Sequence, residues 1–165
     1  MDLYVVRHGI AIDREDPKCP SEAERYLTEP GIKKTKQVAS GVAELGVTPD
    51  VMISSPFVRA MQTAEIFAAA LKYSKAKIRK SDVLLPGADA QGFFRELAKL
   101  KDAGVVMCFG HAPNVDELIA AGVGARHMIT SLKKAGAALL EMKRLAPPQG
   151  QLVWVGTPKI LKMRN

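Results

Sequence analysis

The run Val105-Val106-Met107-Cys108-Phe109 is apolar at every position. A strand with this pattern is buried on both faces, as happens in a parallel sheet covered by helices on each side. Leu3–Val6 and Val51–Ile53 are shorter runs of the same kind. Between them the apolar spacing changes to the helical period. Thr28 predicts a helix cap with Pro30 in the first turn, Ile32, Val38, Val42 and Leu45 on the buried face, and Gly46 as the stop. Ser55 predicts a second cap with Pro56 at the first helical position, followed by Thr63, Ile66, Phe67, Ala70 and Leu71 facing inward. Asp89 predicts a third helix through about Leu100, with Phe93, Phe94, Leu97 and Leu100 facing inward. Pro113 opens a fourth, carrying Val115, Leu118 and Ile119. Lys77–Lys80 is expected as a short strand, and Ala137–Met142 and Leu152–Val155 as two closing strands. The alternation predicts a three-layer α/β/α sandwich with a mostly parallel central sheet.

At 165 residues, with 47% apolar and 25% charged side chains, the chain is expected to form one domain over residues 1–165 around a hydrophobic core. No apolar run approaches the ~20 residues of a membrane-spanning helix. The first residues read as a strand rather than a leader, so a cytoplasmic protein is expected, with no membrane partner. Cys19 and Cys108 form no metal-ligand spacing; free thiols in a reducing cytoplasm are the simpler reading, and a disulfide between them is the alternative. The net charge of +7 is uneven. Acids gather in Asp13–Glu29. Bases gather in Lys72, Lys75, Lys77, Arg79 and Lys80, and in the tail Lys159, Lys162 and Arg164. A solvated surface explains such clusters, attraction of an anion is the alternative, and no nucleic-acid motif accompanies them. His127 has no polar company and reads as a surface residue.

Three segments share one grammar: an apolar strand, polar residues, then a helix start. They are Val5-Val6-Arg7-His8-Gly9, Ile53-Ser54-Ser55-Pro56-Phe57-Val58-Arg59 and Phe109-Gly110-His111-Ala112-Pro113. Open α/β sheets bind ligands beyond the carboxyl ends of their strands, where all three segments fall. Two histidines and two arginines are thereby expected to converge. The planar guanidinium matches phosphate oxygens and stays charged. A neutral, aimed imidazole can attack phosphorus, and neighbouring cations favour that neutral form. A cation such as Arg59 in the first turn of a helix opposes the helix dipole unless an anion is bound. The long loop Asp13–Glu29 suggests a pocket wall, with Arg25 a possible substrate contact. Phe57, Phe93 and Phe94 read as packing residues.

Arg7-His8-Gly9, the block Ser54-Ser55-Pro56-Phe57-Val58-Arg59-Ala60-Met61-Gln62-Thr63-Ala64-Glu65, and Gly110-His111-Ala112-Pro113 resemble the histidine phosphatase superfamily. Leu27-Thr28 followed by Gly31 also resembles the family's approach to its first long helix. The matches run from residue 2 to about residue 119, and the length suits the shortest branch, the SixA-type phosphohistidine phosphatases. The resemblance implies a phosphoglycerate mutase-like fold and a metal-independent phosphatase with no cofactor. It implies that His8 is the nucleophile that becomes phosphorylated. Arg7 and Arg59 would hold the phosphoryl oxygens, and His111 would complete the pocket. The substrate would be phosphohistidine on a protein partner.

The departures from the family pattern bear on substrate. Arg14 stands where mutase-like members carry Asn, and Ile10-Ala11-Ile12-Asp13 lacks the Arg-x-Pro of the acid phosphatases. Many members place a glutamate acid after the third strand. Here Leu84-Leu85-Pro86-Gly87-Ala88-Asp89 has none, and Asp89 is better explained as a helix cap. Ala112 and Asn114 differ from the commoner Gly-His-Asn-Pro-Gly. An alkoxide leaving group needs a proton, and general acid catalysis contributes ~10²–10⁴-fold. Imidazole leaves more easily, so a site without a strong acid suits phosphohistidine. Two alternatives remain open: a phosphatase of small phosphorylated molecules, and a non-catalytic module that binds phosphate.

Overall fold

In the computed structural model, which describes residues 1–100 and 102–162, six strands form one sheet. They are β1 (Asp2–Arg7), β2 (Val51–Ser54), β3 (Arg79–Lys80), β4 (Val105–Gly110), β5 (Ala137–Leu145) and β6 (Pro148–Gly156). Their order across the sheet is β3-β2-β4-β1-β5-β6. The first four are parallel, and β5 and β6 add an antiparallel pair beside β1. The expected apolar strand β4 lies between β2 and β1, covered on both faces.

Alternation along the strands divides the core. Leu3, Val5, Ile53, Val106 and Cys108 face one side, against Phe93, Phe94, Leu97, Leu118 and Ile119 of α3 (Ala90–Leu97) and α4 (Asn114–Gly122). Tyr4, Val6, Met52, Met107 and Phe109 face the other, against Val38, Val42, Ala64 and Phe67 of α1 (Glu29–Glu44) and α2 (Val58–Ala70). The molecule is therefore the expected α/β/α sandwich. A short helix α5 (Pro158–Leu161) packs on α1. Arg164 of the basic tail lies outside the described residues.

The caps decide where helices begin. Thr28 accepts a hydrogen bond from the Gly31 N–H at 3.2 Å, and the chain leaves α1 through Gly46 at φ 76°. Gly31 has no room for a side chain, because a Cβ there would meet the Ile10 carbonyl. Asp89 caps α3 as expected, accepting from Gln91 and Gly92 at 3.0 and 3.1 Å. That helix stops at Leu97 rather than near Leu100, because its last residues tighten into bonds from Lys99 to Glu96 and from Leu100 to Leu97.

The start of α2 corrects the expectation. Ser55 is not its cap and Pro56 is not its first residue. The helix opens at Val58, with Phe57 extended before it. The Ser55 hydroxyl is held 2.8 Å from His111 Nε2 and reaches the Phe57 N–H only at 3.4 Å. Lys77–Lys80 also falls short of a full strand. Only Arg79 and Lys80 pair with β2, while Lys75–Lys77 forms a 3₁₀ turn. The bases of this region are exposed to solvent, as is His127.

Phe67 is fully buried and meets Phe109 edge-on, with ring centroids 5.4 Å apart. Phe67→Ala is expected to cost about 3–5 kcal/mol of stability. Calorimetry would register this as a fall in Tm on the order of 10 °C. A loss below about 1 kcal/mol would contradict the tight packing under α2.

Candidate active site

Parallel register places three strand tips side by side. Arg7 lies opposite Gly110, and Ser54 lies opposite Phe109. The His8 N–H continues the ladder by donating to the Gly110 carbonyl at 3.0 Å. Next to it the Gly9 N–H donates to Thr63 Oγ1 of α2 at 3.0 Å. A Cβ at Gly9 would strike Thr35 Oγ1, so only glycine lets α1 approach this closely.

The His8 ring has a defined orientation. Its Nδ1 lies 2.7 Å from the Gly9 carbonyl, which can only accept, so Nδ1 carries the proton. Nε2 is left with its lone pair and accepts from Arg59 Nε at 3.3 Å. The His111 ring stands 5.1 Å away, centroid to centroid. Phe57 meets His111 edge-on at 5.3 Å, and the Arg59 guanidinium lies 5.1 Å from the Phe57 ring centre. Phe57 is thus more than packing. It braces two of the expected site residues.

These residues line a cavity of about 310 Å³ whose wall includes Arg7, His8, Arg59 and His111, together with Asp13, Arg14, Arg25, Pro86, Ala112 and Lys134. All four expected residues therefore converge. The Asp13–Glu29 loop does form a wall. Arg25 faces the cavity, but its Nε and Nη2 donate to the Ile12 carbonyl at 3.1 and 2.7 Å. Asn114 is buried and donates to the Ala88 carbonyl at 2.7 Å, which braces the loop carrying Pro86. Asp89 caps α3, bonds Arg95 at 3.1 Å, and is not part of the wall. Among the described residues, no three His, Cys, Asp or Glu side chains gather in a way that would hold a metal ion.

Glu22 is the residue that sequence reasoning missed. Its Oε1 accepts from Arg59 Nη2 at 2.8 Å, and its main-chain carbonyl accepts from Arg59 Nη1 at 2.7 Å. Arg14 and Arg25 bond the same carboxylate at 2.9 and 3.2 Å. The anion expected beside Arg59 is therefore supplied by the protein itself. Nothing in the acid-rich loop distinguishes Glu22 from Glu24 by sequence. Only the folded loop brings it to α2.

Burial and cations set the protonation. Burial lowers His8 to about 3, assisted by Arg59, Arg7 and Lys134 and opposed by the Gly9 carbonyl. Burial likewise lowers His111 to about 3, with His8 and Arg59 adding to the effect. The hydrogen bond from Arg14, with Arg59 and Arg25 nearby, lowers Glu22 to about 2. Burial lowers Arg59, and Glu22 partly offsets it. At neutral pH the site holds two uncharged imidazoles, one aimed lone pair and a cationic wall. Such a site can receive a tetrahedral oxyanion and attack its central atom. Arg7 Nε and His111 Nδ1 are buried without protein partners; the Arg7 Nε–H can donate to such an oxyanion, and His111 can do so in the tautomer that carries its proton on Nδ1.

Two measurements follow from these charges. Both histidines hold fewer protons folded than unfolded between their ordinary value of 6.5 and about 3. Stability should therefore fall as pH drops through that window. Denaturant titrations at pH 7 and pH 4.5 test this, and His8→Gln should flatten the slope. An unchanged slope in that variant would count against the depressed histidine. Glu22→Gln removes the anion that competes for Arg59. After allowance for its partial exposure this is worth about 1 kcal/mol, so inorganic phosphate should bind roughly fivefold more tightly by calorimetry. Weaker binding would show that Glu22 supports the anion site rather than competing with it.

Comparison with known proteins agrees with this geometry. Residues 3–84 match the histidine phosphatase superfamily (branch 1). An uncharacterized protein of Picosynechococcus sp. (strain ATCC 27264 / PCC 7002 / PR-6) is 37% identical over 142 residues, covering 82% of each chain. The mitochondrial serine/threonine-protein phosphatase Pgam5 of Drosophila pseudoobscura pseudoobscura is 31% identical over 114 residues, which is 61% of this chain and 38% of that one. The chain thus spans well under half of Pgam5. Among solved structures, the protein histidine phosphatase SixA complexed with tungstate superposes with a TM-score of 0.87 at 23% identity, covering 98% of this chain and 100% of that one. That likeness is one of fold. With the family profile matched and a relative aligned across most of both chains, this protein belongs to the histidine phosphatase superfamily.

Proposed function

We propose that the chain hydrolyses phosphohistidine on a protein partner through a phosphohistidine intermediate on His8. The observation that carries this reading is the aimed Nε2 lone pair of His8, set by the Nδ1–H bond to the Gly9 carbonyl, in a cavity walled by arginines. The Nε2 lone pair attacks phosphorus, and the bond from phosphorus to the leaving imidazole breaks. That imidazole departs with the electron pair and is neutral if its distal nitrogen was protonated. Arg7 and Arg59 bear on the phosphoryl oxygens where charge develops, and Arg59 gives up Glu22 to do so. His111 completes the cradle. A water oxygen then attacks phosphorus, the bond to Nε2 breaks, and His8 regains its lone pair as phosphate and a proton are released.

The acids of the site favour an easy leaving group. Glu22 is ionised at neutral pH and has no proton to give. Asp89 is occupied as a cap. The cavity mouth carries the exposed side chains Asp13, Arg14 and Lys134, where a side chain on another protein can enter. The SixA likeness in fold supports the same substrate class. Asp13 supports a second reading. It is the carboxylate in the cavity wall, and a small phosphoester would need it as the proton donor.

Turnover on a phosphohistidine protein and on alkyl and aryl phosphates distinguishes the readings. The phosphohistidine substrate should exceed alkyl phosphates by about 10²-fold or more, the share that a general acid would supply. Asp13→Asn should leave it little changed. His8→Ala should abolish both turnover and the acid-labile phosphoenzyme. Full activity in His8→Ala would overturn the mechanism. Comparable alkyl phosphate turnover that is lost in Asp13→Asn would establish the second reading.

A further inference from the structure

We propose that Asp116 is a positioning residue for Arg7, acting through the segment Thr130–Gly136. Asp116 sits on α4 and is 4% exposed. Its Oδ1 accepts from the Thr130 hydroxyl at 2.7 Å and from the Leu132 N–H at 2.9 Å, both neutral donors. Leu132 is buried, and its carbonyl accepts from Arg7 Nη1 at 2.6 Å. One buried carboxylate thus reaches the expected phosphoryl ligand through a single residue.

The same segment wraps the tip of β1. The Gly136 carbonyl accepts from the Arg7 N–H at 3.0 Å, and the Ala135 N–H is shared between the Arg7 and His8 carbonyls at 3.1 Å each. A Cβ at Gly136 would lie 2.8 Å from the Lys133 carbonyl, so the turn closes only on glycine. Lys134 projects from this turn into the cavity wall. Residues 126–134 have no helix or strand to hold them. A side-chain bond to main chain is what fixes such a segment.

The physical argument concerns the plane of the guanidinium. Arg7 has several rotatable bonds, and its forked donors serve a phosphoryl group only when correctly oriented. Anchoring Nη1 on Leu132 fixes that plane, while Nε remains buried without a protein partner. A misplacement of about 1 Å in such a group can cost about 10²-fold in rate. Two donors from one irregular segment converge on a single Asp116 oxygen, and that segment's Leu132 carbonyl in turn holds the Arg7 fork.

The inference rests on Arg7 as a phosphoryl ligand, and the test separates the two. Inorganic phosphate affinity is measured by calorimetry, with kcat, KM and Tm, in Asp116→Ala, Asp116→Asn, Thr130→Val, Arg7→Ala and the Arg7→Ala/Asp116→Ala double variant. Asp116→Ala should weaken phosphate binding about tenfold at temperatures where it is fully folded. It should raise KM along with that loss. Asp116→Asn keeps the accepting oxygen and should recover most of the affinity. Thr130→Val should show a smaller loss in the same direction, and it carries the test if Asp116→Ala does not fold. In the Arg7→Ala background, Asp116→Ala should lower Tm but weaken phosphate binding no further. Full phosphate affinity in folded Asp116→Ala, or in Thr130→Val if only that variant folds, would overturn the relay while leaving Arg7 as a ligand. An equal loss with and without Arg7 would also overturn it. Unchanged affinity in Arg7→Ala would overturn Arg7 as a ligand, and the relay with it.

Discussion

The parallel pairing of β1 with β4 is the interaction on which the rest depends. It sets Arg7 opposite Gly110 and lets the His8 N–H bond the Gly110 carbonyl. His111 follows directly on β4, so backbone pairing brings the two imidazoles to neighbouring strand tips, where Ser55, Phe57 and Arg59 orient them. A register slip of one residue would turn His8 toward the opposite face of the sheet. The alternating apolar side chains that fill both helical layers oppose such a slip, because it would exchange Leu3 and Val5 with Tyr4 and Val6 between two cores packed for different shapes.

Arg59 shows how binding capacity is stored in one side chain. A cation in the first turn of a helix is held against the helix dipole, and burial adds a second penalty. Glu22 relieves both, at a distance of 2.8 Å. Its carboxylate is 40% exposed and shared among three arginines. It is therefore a more replaceable partner than a buried one would be. The arginine is kept charged and aimed without being permanently neutralised.

The fold and the convergence of Arg7, His8, Arg59 and His111 were legible because they depend on strand tips. An apolar run followed by polar residues marks such a tip locally. The residues that tune the site were not legible, because each acts through a contact between segments far apart in sequence. Ser55 has every local mark of a helix cap, yet its hydroxyl is drawn away to His111, 56 positions along the chain. Phe57 reads as core, but its ring braces His111 and Arg59. Glu22 lies in a loop whose charges look interchangeable until that loop folds against α2. Asp89 was correctly read as a cap because capping is local.

The edges of the sheet have a consequence for how the protein behaves in a crowded solution. Strand β3 is two residues long, both of them basic and exposed, and the β5–β6 ladder shifts register twice. Short charged edges and bulges both resist the addition of foreign strands. The β3 edge therefore offers little template for the addition of a foreign strand, while the charged cavity opens beyond the carboxyl ends of the parallel strands.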